Sequence, residues 1–116
     1  MSKSFTALNP ILHQPARTQL VAYLAGRGEA TFSEFKRLLD LTDGNLDAHL
    51  KKLVDAGYLT LRKEVGMGRP QTVFSLTNTG REALAAYISQ LATLLKPDTV
   101  SEISIIPPKI SPARKR

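Results

Sequence analysis

The sequence predicts a mainly helical α+β fold, with a three-helix core, a two-stranded β-hairpin and a long C-terminal helix. Apolar residues recur at every third or fourth position in four separate stretches, which is the spacing of helices with one buried face. Between the third and fourth stretches the repeat shortens to two residues on either side of a glycine-rich turn, as in a pair of strands. At 116 residues the chain has room for a single domain of this kind.

The first predicted helix covers Pro15–Arg27. Proline suits the first turn of a helix, because its missing N–H needs no partner there. Gly28 can end the helix in the left-handed conformation. The buried face of this helix is formed by Ala16, Leu20, Val21 and Leu24.

The second and third predicted helices are closely connected. Ala30–Phe32 before them is too short for more than an extended connector or a strand stub. We predict that Ser33 caps the second helix and Thr42 the third, since a hydroxyl oxygen can accept from a free N–H of the first turn. Because only Asp40–Thr42 separates the two helices, they have the tight connection of a helix-turn-helix. The buried stripe of the third helix is formed by Leu46, Leu50, Leu53 and Val54.

A hairpin and a long helix complete the predicted order. Tyr58–Val65 and Gln71–Leu76 are the predicted strands, and the turn cluster Gly66–Pro70 joins them. Thr77 can cap the last helix, predicted at Asn78–Lys96. A helix-turn-helix followed by such a hairpin is a winged helix-turn-helix.

Residues 1–96 are predicted to form one domain, including the C-terminal helix at about 78–96. Residues 97–116 contain four prolines and end in Arg114-Lys115-Arg116. This composition does not favour a packed core, so we predict a mobile or extended basic tail.

Charge and composition narrow the classes of function. The net charge is +6, which favours a polyanionic partner, but residues 28–76 carry equal numbers of basic and acidic side chains. The chain has no cysteine and only two histidines, and it contains no phosphate-binding glycine loop, so we expect neither a metal site, a cofactor nor catalysis. No apolar run reaches the length of a membrane span and no signal-peptide core is visible, so we expect a soluble cytoplasmic protein.

Five segments of the chain carry a resemblance to a known family: Leu41–Leu46, His49–Leu53, Ala56–Leu59, Gly68–Pro70 and Ser75–Arg81. In this order and spacing they resemble the winged-helix DNA-binding regulators of the MarR/ArsR-like group. The resemblance covers about residues 10–95, and the sequence differs from the group's common pattern at Asp47, where a neutral residue is frequent. The resemblance implies a dimeric transcriptional regulator that binds double-stranded DNA, with a recognition helix at about 43–56 in the major groove and a wing at about 66–70 at the minor groove.

The side of the third helix opposite its buried stripe is the predicted reading surface. Small residues there allow close approach to a groove, lysines can pair with phosphates, Asn45 can bind adenine, and Ala48 can contact a thymine methyl group. The same pattern also fits the solvated face of an ordinary amphipathic helix. Its place between a helix-turn-helix and a wing favours DNA recognition. The candidate DNA-binding residues of this helix are Thr42, Gly44, Asn45, Ala48, Lys51 and Lys52.

Further candidates flank this helix. Arg69 at the wing tip can enter a narrow minor groove, although a hairpin tip also favours a soluble residue there. Arg62 and Lys63 alternate in direction along their strand, so only one of them can face DNA. His49 lies at the border of the buried stripe, where we expect it to pack and donate one hydrogen bond. Candidates for positioning a phosphate at the second helix are Thr31, Ser33 and Lys36.

The last helix has a wider apolar stripe than the small core can cover. The excess predicts either a homodimer, which would match a palindromic operator, or burial within the chain's own domain. The candidate interface residues are Leu84, Tyr87, Ile88, Leu91, Leu94 and Leu95.

The favoured function is therefore a dimeric repressor, and a small-molecule effector is possible but unidentified. The alternative is a winged helix that binds another protein, which the neutral charge of residues 28–76 keeps open.

Overall fold

The computed structural model describes residues 8–66 and 68–94, except for the side chain of residue 66. The order of elements confirms the predicted winged helix-turn-helix. Leu95, the end of the predicted last helix and the predicted tail at 97–116 lie outside the described residues. The elements are α1 (Pro15–Arg27), β1 (Glu29–Thr31), α2 (Phe32–Leu38), α3 (Asp43–Asp55), β2 (Leu59–Gly66), β3 (Arg69–Leu76) and α4 (Asn78–Leu94).

The cap of α2 corrects the sequence prediction, because the helix is capped by Thr31 and not by Ser33. The Thr31 hydroxyl accepts a hydrogen bond from the Glu34 N–H at 3.1 Å, and the Glu34 carboxylate accepts from the Thr31 N–H at 2.8 Å. This reciprocal capping box needs an acidic or amide residue three positions after the cap, and Ser33 is followed there by Lys36. The helix therefore begins at Phe32.

The caps of the other helices follow the prediction. Gly28 ends α1 with a positive φ of 93°, and its N–H donates to the carbonyl oxygen of Leu24. The hydroxyl of Thr42 accepts from the Asn45 N–H at 3.1 Å at the start of α3. The hydroxyl of Thr77 accepts from the Gly80 N–H at 2.9 Å in the first turn of α4.

The sheet has three antiparallel strands in the order β1-β3-β2, where the sequence predicted a two-stranded hairpin and an extended connector or strand stub at Ala30–Phe32. β1 adds the third strand, with Ala30 opposite Phe74. The hairpin is also tighter than predicted, since Gly66 pairs with Arg69 and β3 already includes Pro70. β1 pairs only with the far end of β3, so the missing N–H of Pro70 interrupts no ladder on that side.

The core lies between the three N-terminal helices and the sheet. Phe35 is completely buried at its centre, and its ring centroid lies 6.0 Å from those of both Tyr23 and Phe74. Because the inner stripe of α3 is committed to this core, the opposite face of α3 is directed outward. The largest fully buried side chains are Phe35, Leu12, Leu20, Leu24, Leu46, Leu50, Leu53, Leu59 and Val21.

The start of α4 is packed tightly against the end of the hairpin. Thr77 donates its hydroxyl proton to the carbonyls of Gly57 and Tyr58, at 2.7 and 3.0 Å. Gly80 lies so close to the ends of the hairpin that an added Cβ would meet the carbonyl oxygen of Tyr58 at 2.4 Å and Leu76 Cδ1 at 2.7 Å. Glycine is therefore required at this helical position by space and not by backbone conformation.

We predict that Gly80→Ala lowers the free energy of unfolding by about 1–3 kcal/mol, because the new methyl group overlaps a backbone oxygen that cannot swing away. Gly44→Ala is the matched control, since a Cβ at this helical glycine meets nothing within 4 Å. The control should stabilise the chain by about 0.4–1 kcal/mol. Urea unfolding at one protein concentration measures both changes, and equal effects of the two substitutions would contradict the packing argument.

Candidate nucleic-acid interface

The turn between α2 and α3 is held by a lysine from α2. The Lys36 ammonium donates to the carbonyl oxygen of Leu41 and pairs with the Asp43 carboxylate at 3.0 Å. Leu39 is buried beneath the turn. Lys36, a candidate phosphate contact, is thus engaged in fixing the angle at which α3 leaves the turn.

The residues of α3 that point away from the core form one continuous surface, which we call the α3 outer face. The structure brings most of the predicted reading residues together there, while Leu46 and Leu50 hold the opposite side. Lys51 lies 3.9 Å from Asp55, but both side chains are largely exposed, so this pair contributes little to stability. The α3 outer face consists of Gly44, Asn45, Asp47, Ala48, Lys51, Lys52 and Asp55.

A groove of about 320 Å³ separates α3 from the sheet, and we call it the wing groove. Its rim is charged, whereas its floor is mainly apolar. One wall therefore belongs to the α3 outer face and the other to the wing. The rim is formed by Asp47, Lys51, Asp55 and Lys63, and the floor by Phe32, Leu50, Val54, Leu61, Thr72 and Phe74.

Arg62 is directed to the opposite side of the sheet. Its guanidinium donates to the Glu29 carboxylate at 2.8 Å and to the Glu64 carboxylate at 2.6 and 2.9 Å. The hydrogen bond and the charge of Arg62 hold the pKa of Glu29 below its ordinary value. The two neighbouring cations therefore lie on different sides of the sheet. Lys63 lines the wing groove, whereas Arg62 pairs with carboxylates on the opposite side.

Arg69 lies exposed at the first position of β3, opposite Gly66 at the end of the hairpin. Gly68 beside it adopts a positive φ of 82°, which glycine accommodates without strain.

Two candidates for positioning a phosphate, Thr31 and Ser33, lie at the start of α2. Ser33 is exposed there, and Thr31 already uses its hydroxyl oxygen in the capping box.

His49 packs at the inner border of α3, as predicted, but its hydrogen bond runs in the other direction. A guanidinium has only donors, so the Nδ1 of His49 accepts from Arg17 at 3.1 Å. Burial, and secondarily the charge of Arg17, lowers the pKa of His49. Arg17 also donates to the carbonyl oxygen of Ile11 at 2.7 Å, so it joins α3 to α1 and the segment before it.

The predicted interface residues of α4 divide into two groups. Leu84 packs against the core, and Tyr87 is buried with its hydroxyl 2.9 Å from Nδ1 of His13. The remaining described members are exposed to large extents: Ile88 by 56%, Leu91 by 38% and Leu94 by 48%. α4 thus covers its own core with one edge and leaves an apolar edge in solvent.

Sequence reasoning did not single out two residues of the wing groove. The sequence alone does not decide whether Lys63 or Arg62 faces DNA, although alternation places Lys63 on the same strand face as Leu61 and Val65. The sequence marks Asp47 only as a departure from the common pattern of the regulator group. Helical spacing puts Asp47 about 100° from Leu46, beside the buried stripe, so its exposure and its place on the rim of the wing groove depend on the fold.

Comparisons with known proteins agree with this geometry. A family profile described as winged helix DNA-binding domain matches residues 16–95. An uncharacterized protein of Methanocaldococcus jannaschii is 40% identical over 86 residues, which are 74% of this chain and 94% of that protein. None of the helices in the described part of the chain is long and apolar enough to cross a membrane.

Two solved structures share the architecture. A transcriptional regulator homologue from Pyrococcus horikoshii superposes with a TM-score of 0.67 at 36% identity, over 72% of this chain and 83% of that one. AbfR bound to DNA in its reduced form superposes with a TM-score of 0.62 at 22% identity, over 72% of this chain and 57% of that one, which shows a shared fold. The predicted resemblance to winged-helix regulators is confirmed, and the family is one of DNA-binding domains and not of enzymes. This chain belongs to the winged helix DNA-binding domain family.

Proposed function

We propose that this protein is a sequence-specific transcriptional regulator that binds double-stranded DNA as a homodimer. The observation that carries the proposal is the α3 outer face. This face presents an amide, small residues and lysines to solvent. The turn fixed by Lys36 precedes the helix, and the wing lies across the wing groove from it. A helix presented in this way can enter the major groove.

Base reading is assigned to the N-terminal half of α3. Gly44 and Ala48 carry no bulky side chain, so base edges can approach the helix closely at this part of the face. A Cβ added at Gly44 would meet nothing within 4 Å. Asn45 is exposed, so its side-chain amide is available for the paired donor and acceptor of adenine, while Ala48 suits a thymine methyl group. Thr42 is already committed as the cap of α3 and is assigned to positioning.

Phosphate binding is assigned to cations on both walls of the wing groove. Lys51 extends from α3 and Lys63 from β2, so a DNA backbone that runs along the groove passes between them. Lys52 lies on the other side of the outer face, and Arg69 reaches beyond the groove from the end of the hairpin. These contacts would fix the register of α3, while base contacts supply sequence preference.

Dimerisation is assigned to the exposed apolar edge of α4. Ile88, Leu91 and Leu94 would each lose exposed surface against a second copy, with Leu84 beside them at the core. Two-fold pairing would present two α3 helices to a palindromic operator. Repression is the proposed outcome, because a bound dimer would exclude other proteins from its site. The described elements are assigned to DNA binding and to dimerisation through α4.

A protein-binding module is the second candidate. It is favoured by the three carboxylates that α3 carries, at Asp43, Asp47 and Asp55, and by the neutral charge of residues 28–76. Salt dependence separates the two functions, because release of counterions from DNA makes binding fall steeply with salt.

Selection from random DNA duplexes tests the proposed function. We expect the full-length protein to enrich a palindromic motif, with log K falling linearly with log salt, at about 0.9 for each phosphate contacted. Absence of any enriched motif, with weak binding that ignores sequence, would reject sequence-specific regulation.

We predict that Lys63→Ala weakens DNA binding and reduces the salt slope by about 1, because one phosphate contact is lost. Arg62→Ala is the matched control, since it removes the same charge from the adjacent residue on the opposite side of the sheet. The control should keep its salt slope. Fluorescence anisotropy on the selected duplex measures the affinity and the salt slope of both variants. A larger effect of Arg62→Ala would contradict the assignment of phosphate binding to the wing-groove side of the sheet.

We predict that Ile88→Asp converts the dimer to a monomer at micromolar concentration, because a carboxylate would be buried in an apolar interface. Ser89→Asp introduces the same group at the next exposed position, about 100° around the helix, and should remain dimeric. Light scattering gives the mass of each variant. A monomeric wild-type protein would overturn the proposed dimer.

A further inference from the structure

Three carboxylates project from α3, and only one of them lacks a cationic partner in the described structure. Asp43 pairs with Lys36 at 3.0 Å, and Asp55 lies 3.9 Å from Lys51. Among residues 8–66 and 68–94, Asp47 forms no ion pair, and its side chain is exposed. An unpaired anion on a surface that is proposed to approach phosphates needs a reason.

Stabilisation of the helix does not supply that reason. Carboxylates stabilise a helix when they lie in its first turn, near the positive end of the dipole, and that place is taken by Asp43. Asp47 is one turn further along. Lys51 follows four residues after Asp47 and could pair with it, but its ammonium lies near Asp55 instead.

The position of Asp47 directs it to the flank of α3 that faces the wing. It lies on the rim of the wing groove, together with Lys51 and Lys63. Asn45 is two residues earlier and about 200° around the helix, so it belongs to the opposite flank. The α3 outer face therefore presents an amide on one side and an acceptor-only group on the other.

A carboxylate can only accept hydrogen bonds, which restricts what it can bind in a major groove. The donors exposed there are the amino groups of cytosine N4 and adenine N6. Adenine also presents the acceptor N7 beside its amino group, which would repel a carboxylate, whereas cytosine does not. Guanine and thymine offer acceptors alone. Of the four bases, cytosine fits Asp47 best.

We propose that Asp47 is a specificity-determining residue that accepts a hydrogen bond from N4 of a cytosine in each half-site. This inference rests on the proposed function, since it requires α3 to lie in the major groove. Lys51 and Lys63 on the same rim hold the backbone, and Asp47 penalises every duplex in which no amino group meets it. The anion thus lowers binding to non-cognate DNA and leaves cognate binding intact.

The test is selection from random duplexes with the full-length wild-type protein, Asp47→Asn, Asp47→Ala and Asp55→Asn. We expect one C·G position of the wild-type motif to change to A·T with Asp47→Asn, because an amide pairs with both N6 and N7 of adenine. With Asp47→Ala, discrimination at that position should fall by roughly fivefold to tenfold. Binding of Asp47→Ala to unrelated duplexes should become tighter.

Asp55→Asn is the matched control, because it removes the same charge from the same helix at a carboxylate that has a lysine neighbour. It should keep the wild-type motif. An unchanged motif in both Asp47 variants would overturn the role of Asp47 while leaving the proposed function intact. Absence of any motif from the wild-type protein would reject both, and an equal change with Asp55→Asn would show a general effect of charge and overturn base reading by Asp47.

Discussion

Burial of the inner stripe of α3 is the constraint on which the rest of the structure depends. Leu46, Leu50 and Leu53 are each no more than 1% exposed and pack in one core with α1 and the sheet. Burying such side chains is worth about 1.5–3 kcal/mol each, far more than any surface contact of the helix. Rotation of α3 about its axis would withdraw them from the core, so the direction of its outer face is fixed by hydrophobic packing.

Polar contacts within the chain engage several of its cations, although residues 28–76 carry no net charge. Arg17, Lys36 and Arg62 are each engaged within the chain, by His49 and a backbone carbonyl, by the turn before α3, and by two glutamates behind the wing. The lysines of the α3 outer face and the wing groove are left available to a ligand. A segment without net charge can therefore still offer Lys51, Lys52 and Lys63 to phosphates, so its net charge alone does not identify its partner.

The sequence allowed the helices to be predicted better than the sheet. The bounds of α1 agreed to the residue, because Pro15 and Gly28 mark its ends. The sequence could not decide between a connector and a strand at β1, since three residues carry no periodicity and their pairing partner lies more than forty residues away. Alternation places Lys63 on the same strand face as Leu61 and Val65, but which face of β2 lies toward α3 depends on the pairing of the three strands. Local patterns thus determine helices, and long-range pairing determines the wing.

The junction between the hairpin and α4 connects the proposed DNA-binding elements, α3 and the wing, to the proposed dimerisation helix α4. Thr77 donates to the carbonyls of Gly57 and Tyr58, just before β2, while it caps α4, and Gly80 brings the helix against the same backbone. A joint packed to backbone contact has little freedom to bend, so the angle between wing and α4 is a property of the fold. In the proposed dimer this angle would set the distance between the two α3 helices. The half-site spacing of the operator would then be determined by packing around a glycine that contacts no DNA.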